Sequence, residues 1–183
     1  MFRRLGEGLR ADLVQPTPRG TRHSVMFWAA FRYGLRTDLV VCRGDPESAR
    51  GGFTAQVYEE ILREHLPTIM DHNSVFMQDN ARVHTAFLIR DFLQEEGYEV
   101  MEWPPYSPDL NPIENLWHLL KEKININHPD LLGRNDSRVP SDITIAALEA
   151  WDQLDDSVLN KLVKSMKRRC KAVKDAKGWY TKY

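Results

Sequence analysis

Residues 103–117 read Trp-Pro-Pro-Tyr-Ser-Pro-Asp-Leu-Asn-Pro-Ile-Glu-Asn-Leu-Trp, and the fold turns on where this stretch stops being extended and becomes helical. Pro104, Pro105, Pro108 and Pro112 each fix φ and bias the preceding residue toward extended geometry, so the first half is a stiff, irregular connection. A helix then starts abruptly. Asn111 is a favoured N-cap, Pro112 suits the first helical position, and Glu114 falls three residues after the cap, where a capping-box glutamate sits. Ile113, Leu116, Trp117, Leu120 and Ile124 recur at helical spacing and predict one apolar stripe. Glu114 borders that stripe. On this pattern alone the helix cap, answering backbone donors and the positive end of the helix, is the favoured reading of Glu114 over a ligand role.

Upstream, Ser74 to Asn80 reads as a short apolar strand that turns polar at its end. A helix is expected from Val83 to Glu96 with Phe87, Leu88, Phe92 and Leu93 inward, stopped by Gly97. Tyr98 to Trp103 then returns as a strand. Further back, Ser24 to Phe31 and Asp38 to Cys42 are apolar runs joined by a Tyr33-Gly34 turn, which predicts a hairpin with at least one strand buried on both faces. Thr54 caps a helix whose stripe is Val57, Tyr58, Ile61, Leu62 and Leu66, with His65 its polar member. Strand and helix in alternation predict an α/β fold, a mixed sheet of about four strands with helices packed on it.

In such sheets sites lie off the carboxyl ends of strands, and Asp79 stands at such an end. An Asp-Asn pair after a strand is also ordinary turn chemistry. With short connections between them, Asp79 and Glu114 are expected to face one crevice. Paired carboxylates suit Mg²⁺, which takes oxygen ligands and keeps several waters.

Downstream, Asn125 to Pro140 is a polar linker, Ser141 with Asp142 opens a helix through Trp151, and Asp155 with Asp156 opens a last helix running to Gly178. Its apolar face is Val158, Leu159, Leu162, Val163, Met166, Cys170 and Val173, while Lys164, Lys167, Arg168 and Lys171 lie elsewhere around it. Lys161 to Tyr183 carries nine Lys or Arg against Asp175 alone, about +8, in a chain whose net charge is −1. Three readings suit a basic amphipathic helix: a solvated surface, a phosphate-tracking helix, or a membrane or calmodulin-type target. The chain divides into a basic loop segment 1–22, an α/β domain 23–124, the linker 125–140 and C-terminal helices 141–183.

The 183 residues, 42% hydrophobic, suffice for one domain with an appendage. Two distant cysteines, Cys42 and Cys170, imply a reducing compartment rather than a disulfide framework. No run is apolar enough to span a bilayer and no signal-peptide core is present, so a soluble intracellular protein without a membrane partner is expected. The histidines show no zinc-type pairing.

Met77-Gln78-Asp79-Asn80-Ala81 with His84, and Trp103-Pro104 with Ser107-Pro108-Asp109-Leu110-Asn111-Pro112-Ile113-Glu114-Asn115-Leu116-Trp117, resemble two signature blocks of the DDE transposases of the mariner superfamily. Residues 80–113 separate the two acids, the 34-residue spacing of one major branch. Arg3-Arg4 with Gly6-Glu7, the Ser24–Trp28 strand, and the ending Lys161-Leu162, Ser165-Met166, Arg168-Arg169-Cys170 and Tyr180 to Tyr183 are similar to that branch as well.

The resemblance implies an RNase H-like catalytic domain that cuts and rejoins element DNA with two divalent ions, Mg²⁺ or Mn²⁺, held by an Asp, Asp, Glu triad. Asp79 matches the second carboxylate and Glu114 the third, which shifts the reading of Glu114 from cap to metal ligand. It implies DNA partners, transposon ends and target, a nuclear location, and room for a homodimer. Phosphate contact by Lys164, Lys167, Arg168 and Lys171 then stands level with the solvated reading.

The family's first aspartate precedes the segment matched here by Phe2-Arg3-Arg4. Asp12, Asp38 and Asp45 are the nearest acids, and none matches its motif. The expectation is therefore a domain lacking its first strand, its bridging ligand and the paired helix-turn-helix modules, and unable to cleave DNA as it stands. Two classes stay open: a catalytic-domain fragment for DNA cleavage and strand transfer, or a non-catalytic remnant or domesticated DNA-binding or interaction protein.

Overall fold

The computed structural model describes residues 24–105, 107–177 and 181. The expected basic loop 1–22 and the expected helix stop at Gly178 lie outside them. The Ser24–Cys42 region is the predicted hairpin, made of β1 (Met26–Trp28), β2 (Phe31–Arg32), β3 (Leu35–Arg36) and β4 (Val40–Cys42), with Tyr33-Gly34 as the turn. Gly34 takes φ +74°, a backbone region that a residue without Cβ enters without penalty.

Trp28 pairs with Val40 and Phe31 with Arg36, so Ala29 and Ala30 oppose the three residues Thr37, Asp38 and Leu39. One extra residue makes a β-bulge. Thr37 steadies it: its N–H donates to the Ala30 carbonyl at 2.9 Å, and its hydroxyl accepts from the Ala30 N–H at 3.0 Å.

Alternation along the first strand divides the core in two. Phe27, Ala29 and Phe31 join one cluster with Leu39, Leu116, Leu120, Ala147, Ala150 and Leu159, while Trp28 and Ala30 join the other with Tyr58, Leu62, Leu66, Phe76, Ile89 and Phe92. The strand packs on both faces, with Ala29 buried and Phe27, Trp28, Ala30 and Phe31 half-buried, a looser burial than its continuous apolar run predicts.

Around it pack α1 (Ala55–His65) and α2 (Phe87–Glu95) on one side, and α3 (Pro112–Asn127), α4 (Val139–Asp152) and α5 (Asp156–Lys164) on the other. The predicted α3 stripe is borne out in full, since Ile113, Leu116, Trp117, Leu120 and Ile124 all lie in the first cluster. Trp117 stacks on Trp151 of α4 with ring centroids 6.0 Å apart. The polar member of the α1 stripe, His65, stacks on Trp28 at 5.8 Å, a packing role.

β5 (Val75–Phe76) and β6 (Glu99–Val100) pair in parallel across α2, and the Met101 N–H extends the ladder to the Phe76 carbonyl at 2.8 Å. Asp79 follows at the carboxyl end of β5. The architecture is α/β with parallel and antiparallel pairing, but the described strands form three two-stranded ladders in place of one continuous sheet.

Three elements depart from expectation. α2 begins at Phe87 rather than Val83, because the Ala81 carbonyl takes the N–H groups of His84 and Thr85 and the Thr85 hydroxyl, leaving Ala86 extended (ψ 147°). Its inward face is Ile89, Phe92 and Leu93; Phe87 is 78% exposed. α4 starts two residues early, with Pro140 in its first turn. The last helix is two: α5 ends at Lys164 and α6 (Met166–Asp175) begins after Ser165, whose hydroxyl donates back to the Leu162 carbonyl at 2.6 Å. α6 ends at Asp175 with Ala176 as its C-cap, followed by Lys177 at φ +52°. No helix among the described residues is long and apolar enough to cross a membrane.

Candidate metal and nucleic-acid site

Asp79 is presented by the turn that follows β5. Its Oδ1 accepts from the Ala81 N–H at 3.0 Å and lies 2.7 Å from Nδ1 of His84. A protonated Nδ1 donates there. His84 is held in turn by its ring, 4.5 Å from that of Tyr58, whose hydroxyl donates to Gln78 Oε1 at 2.7 Å. Burial keeps the Tyr58 phenol well above its ordinary pKa, so it remains a donor. Both contacts to the Asp79 carboxylate use Oδ1, and no described residue bonds Oδ2. The side chain is 52% exposed.

Glu114 sits in the first turn of α3, where the Asn111 side chain accepts from the Ile113 N–H at 3.3 Å. A capping box would have the Glu114 carboxylate accept from the Asn111 N–H. That N–H donates instead to the Pro108 carbonyl at 3.0 Å, within the 3-10 turn Pro108–Leu110. Among the described residues none bonds the Glu114 carboxylate.

The two acids come together. Asp79 and Glu114 line one crevice of about 410 Å³, walled by Trp103, Pro104, Pro105 and Pro108. The Asn80 amide closes it by donating to the Trp103 carbonyl at 2.8 Å. Both acids also edge an apolar groove of about 660 Å³ that runs past Met26, Trp28, Phe31, Tyr58 and Met166. Exposed carboxylates with unengaged oxygens are the ligand type that hydrated Mg²⁺ or Mn²⁺ takes. Among the described residues, no group of three or more His, Cys, Asp or Glu stands together to hold an ion.

Of the other candidate acids, Asp12 lies outside the described residues. Asp38 is exposed ahead of β4. Asp45 is buried and structural, its carboxylate taking the Thr54 hydroxyl at 2.9 Å and the Glu47 N–H at 2.9 Å.

Lys164, Lys167, Arg168 and Lys171 are all exposed on α5 and α6. Lys164 lies over the Tyr33 ring, Nζ 5.1 Å from its centre, and Lys171 is paired with Asp175 at 2.8 Å. Arg169, beside them, is 2% exposed and turns inward toward the loop before α3. A count of basic residues could not separate it from its neighbours. Nor could the supporting set Tyr58 and Gln78 be read from the chain; only His84, at a fixed distance after Asp79, signalled it.

Comparison with known proteins identifies the family and the fold. Residues 5–131 match the family described as DDE superfamily endonuclease. The transposable element Tc1 transposase of Caenorhabditis elegans is 34% identical over 169 residues, spanning 92% of this chain and 58% of that protein. Among solved structures, the Mos1 transposase catalytic domain with raltegravir and Mn is similar with a TM-score of 0.56 at 22% identity, covering 86% of this chain and 83% of that one. The Mos1 mariner paired end complex with Mn gives 0.58 at 22%, covering 96% and 52%. The chain thus has the fold of the RNase H-like Mos1 catalytic domain, and spans little more than half the length of the Tc1 protein.

Proposed function

This chain belongs to the DDE superfamily endonucleases, and on that premise we propose that it is the catalytic part of a mariner-type transposase, acting on element and target DNA in the nucleus through a divalent ion held by Asp79 and Glu114. The observation that carries this is the shared crevice. Two carboxylates from separate elements line it, and the backbone donor that would have made Glu114 a cap is taken by Pro108.

Each residue has a task. Asp79 offers its Oδ2, while His84 and the Ala81 amide hold Oδ1 and so set the carboxylate's orientation. Glu114 supplies an oxygen from the rigid first turn of α3. Bound there, Mg²⁺ or Mn²⁺ would stabilise charge on phosphodiester oxygens, and a second ion would require a further carboxylate. Lys164, Lys167, Arg168 and Lys171 would track phosphates without reading sequence. Support for metal and DNA comes from the solved Mos1 structures, which include a paired end complex with Mn. A homodimer is compatible with such pairing.

A second reading, a non-catalytic DNA-binding or interaction protein, is favoured by one observation: the described residues bring only two acids to the crevice.

Localised iron chemistry tests the proposal. With Fe²⁺ and peroxide, backbone scission is expected near residues 79 and 114, and it should vanish in Asp79→Asn. Scission confined to other segments would refute it.

A further inference from the structure

We infer that Arg169 is a positioning residue: it fixes the turn that carries Glu114, and with it the crevice that Glu114 shares with Asp79. The inference rests on the proposed metal role of that crevice. Its basis is a guanidinium almost wholly buried in the first turn of α6, which bonds three of the described residues. Nε donates to Ser165 Oγ at 2.8 Å, Nη1 to the Asp109 carbonyl at 2.8 Å, and Nη2 to Asn115 Oδ1 at 2.5 Å.

Two of these bonds bracket Glu114. Asp109 lies in the 3-10 turn before α3 and Asn115 in its first turn, so one planar fork holds the Asp109 backbone on one side of the acid and the Asn115 side chain on the other. Prolines at 108 and 112 stiffen the span between the anchors, which lets a hold at Asp109 reach Glu114. The C-terminal segment grips the same turn again, since the Thr181 hydroxyl donates to Asp109 Oδ2 at 2.9 Å.

The fork itself is fixed from behind. Ser165 spends its own proton on the Leu162 carbonyl, which leaves its oxygen to accept from Arg169. A buried charge persists only when its donors are met, so the burial signals a geometry under constraint. Lysine would keep the charge but offers no planar fork to span two acceptors. This also accounts for Ser165 interrupting the last helix: the break turns α6 so that Arg169 faces the loop while Lys167, Arg168 and Lys171 face outward.

The test uses the 183-residue chain as wild type, Arg169→Lys, Asn115→Leu, Asn115→Asp and Glu114→Gln. Hydrogen exchange is followed in peptides covering 107–116 and 55–65, and Mn²⁺ affinity is read from free-ion electron paramagnetic resonance. Arg169→Lys and Asn115→Leu are expected to raise exchange across 107–116 about tenfold, leaving 55–65 unchanged. They should also weaken Mn²⁺ binding about tenfold, the usual cost of losing a group that orients a ligand. Asn115→Asp keeps an acceptor for Arg169 and should retain wild-type exchange across 107–116. Exchange that rises equally in 55–65 would make Arg169 a general stabiliser and overturn the inference. So would local loosening without loss of Mn²⁺ affinity, provided that Glu114→Gln does weaken it. If Glu114→Gln leaves Mn²⁺ affinity unchanged, the metal reading falls, and the exchange data alone decide whether Arg169 holds the turn.

Discussion

Trp151 Nε1 donates to the carbonyl of Thr37 at 3.0 Å, a buried bond that ties α4 to the hairpin bulge. Thr37 is the residue that makes the bulge, so this bond couples the two halves of the chain at the centre of the core. Trp151→Phe keeps most of the ring and its stack on Trp117 but orphans the Thr37 carbonyl. A loss of about 1–3 kcal/mol in urea unfolding is expected. Leu116→Ala, at a position with no exposure, should cost about 3–5 kcal/mol through its cavity. A Trp151→Phe loss no larger than that of an exposed control, Leu132→Ala, would mean that the bond does not couple them.

The basic face makes a prediction about salt. If Lys164, Lys167, Arg168 and Lys171 neutralise phosphates, affinity for arbitrary duplex DNA should fall steeply with salt, and each replacement by Gln should flatten the log–log slope by roughly one unit. Lys171 is already paired with Asp175, so its replacement should have the smallest effect. Unchanged affinity after all four replacements would leave these residues as a solvated surface.

The two thiols should separate by pH. Burial pushes the Cys42 thiol up to about 11, because desolvation penalises the thiolate. Cys170 is exposed. At pH 8, iodoacetamide is expected to alkylate Cys170 and spare Cys42, whose reactivity should appear only as pH approaches 11. The sign follows from the raised pKa: the reactive form is depleted below it. Mass spectrometry of the two peptides decides this, and equal labelling at pH 8 would contradict the burial.

Cleavage is the sharpest functional expectation. Two-metal phosphoryl transfer needs a ligand that holds both ions about 4 Å apart, and the described residues bring two acids to the crevice. If no other part of the 183-residue chain supplies that ligand, supercoiled plasmid should stay intact in Mg²⁺ or Mn²⁺. Nicking that disappears in Asp79→Ala would show that a third carboxylate is supplied, with Asp38 the first to replace.

Much of this was legible in the chain because local rules and packing agree. The apolar run through Phe27 to Phe31 called for packing on both faces, and Asn111-Pro112 marked the start of α3 to the residue. Placing Asp79 at a strand end and Glu114 in a first turn was enough to bring both to one crevice. What escaped depends on partners far apart in sequence. Arg169 reads as one more basic residue until Asp109 and Asn115 are seen to receive it. Ser165 fits helical periodicity, and only its hydroxyl's bond to Leu162 breaks the helix. Phe87 and Leu88 satisfy an apolar pattern, but the competing turn at Ala81 rotates the start of α2 and leaves both outside.

The central claim is that Asp79 and Glu114 share one divalent ion, and a Mn²⁺ titration followed by electron paramagnetic resonance tests it most directly. Wild-type protein is expected to bind one ion at the crevice, with Asp79→Asn and Glu114→Gln each weakening it about tenfold or more. The double variant should lose it, and Asp38→Asn should match wild type. Affinity unchanged in both single variants would contradict the claim.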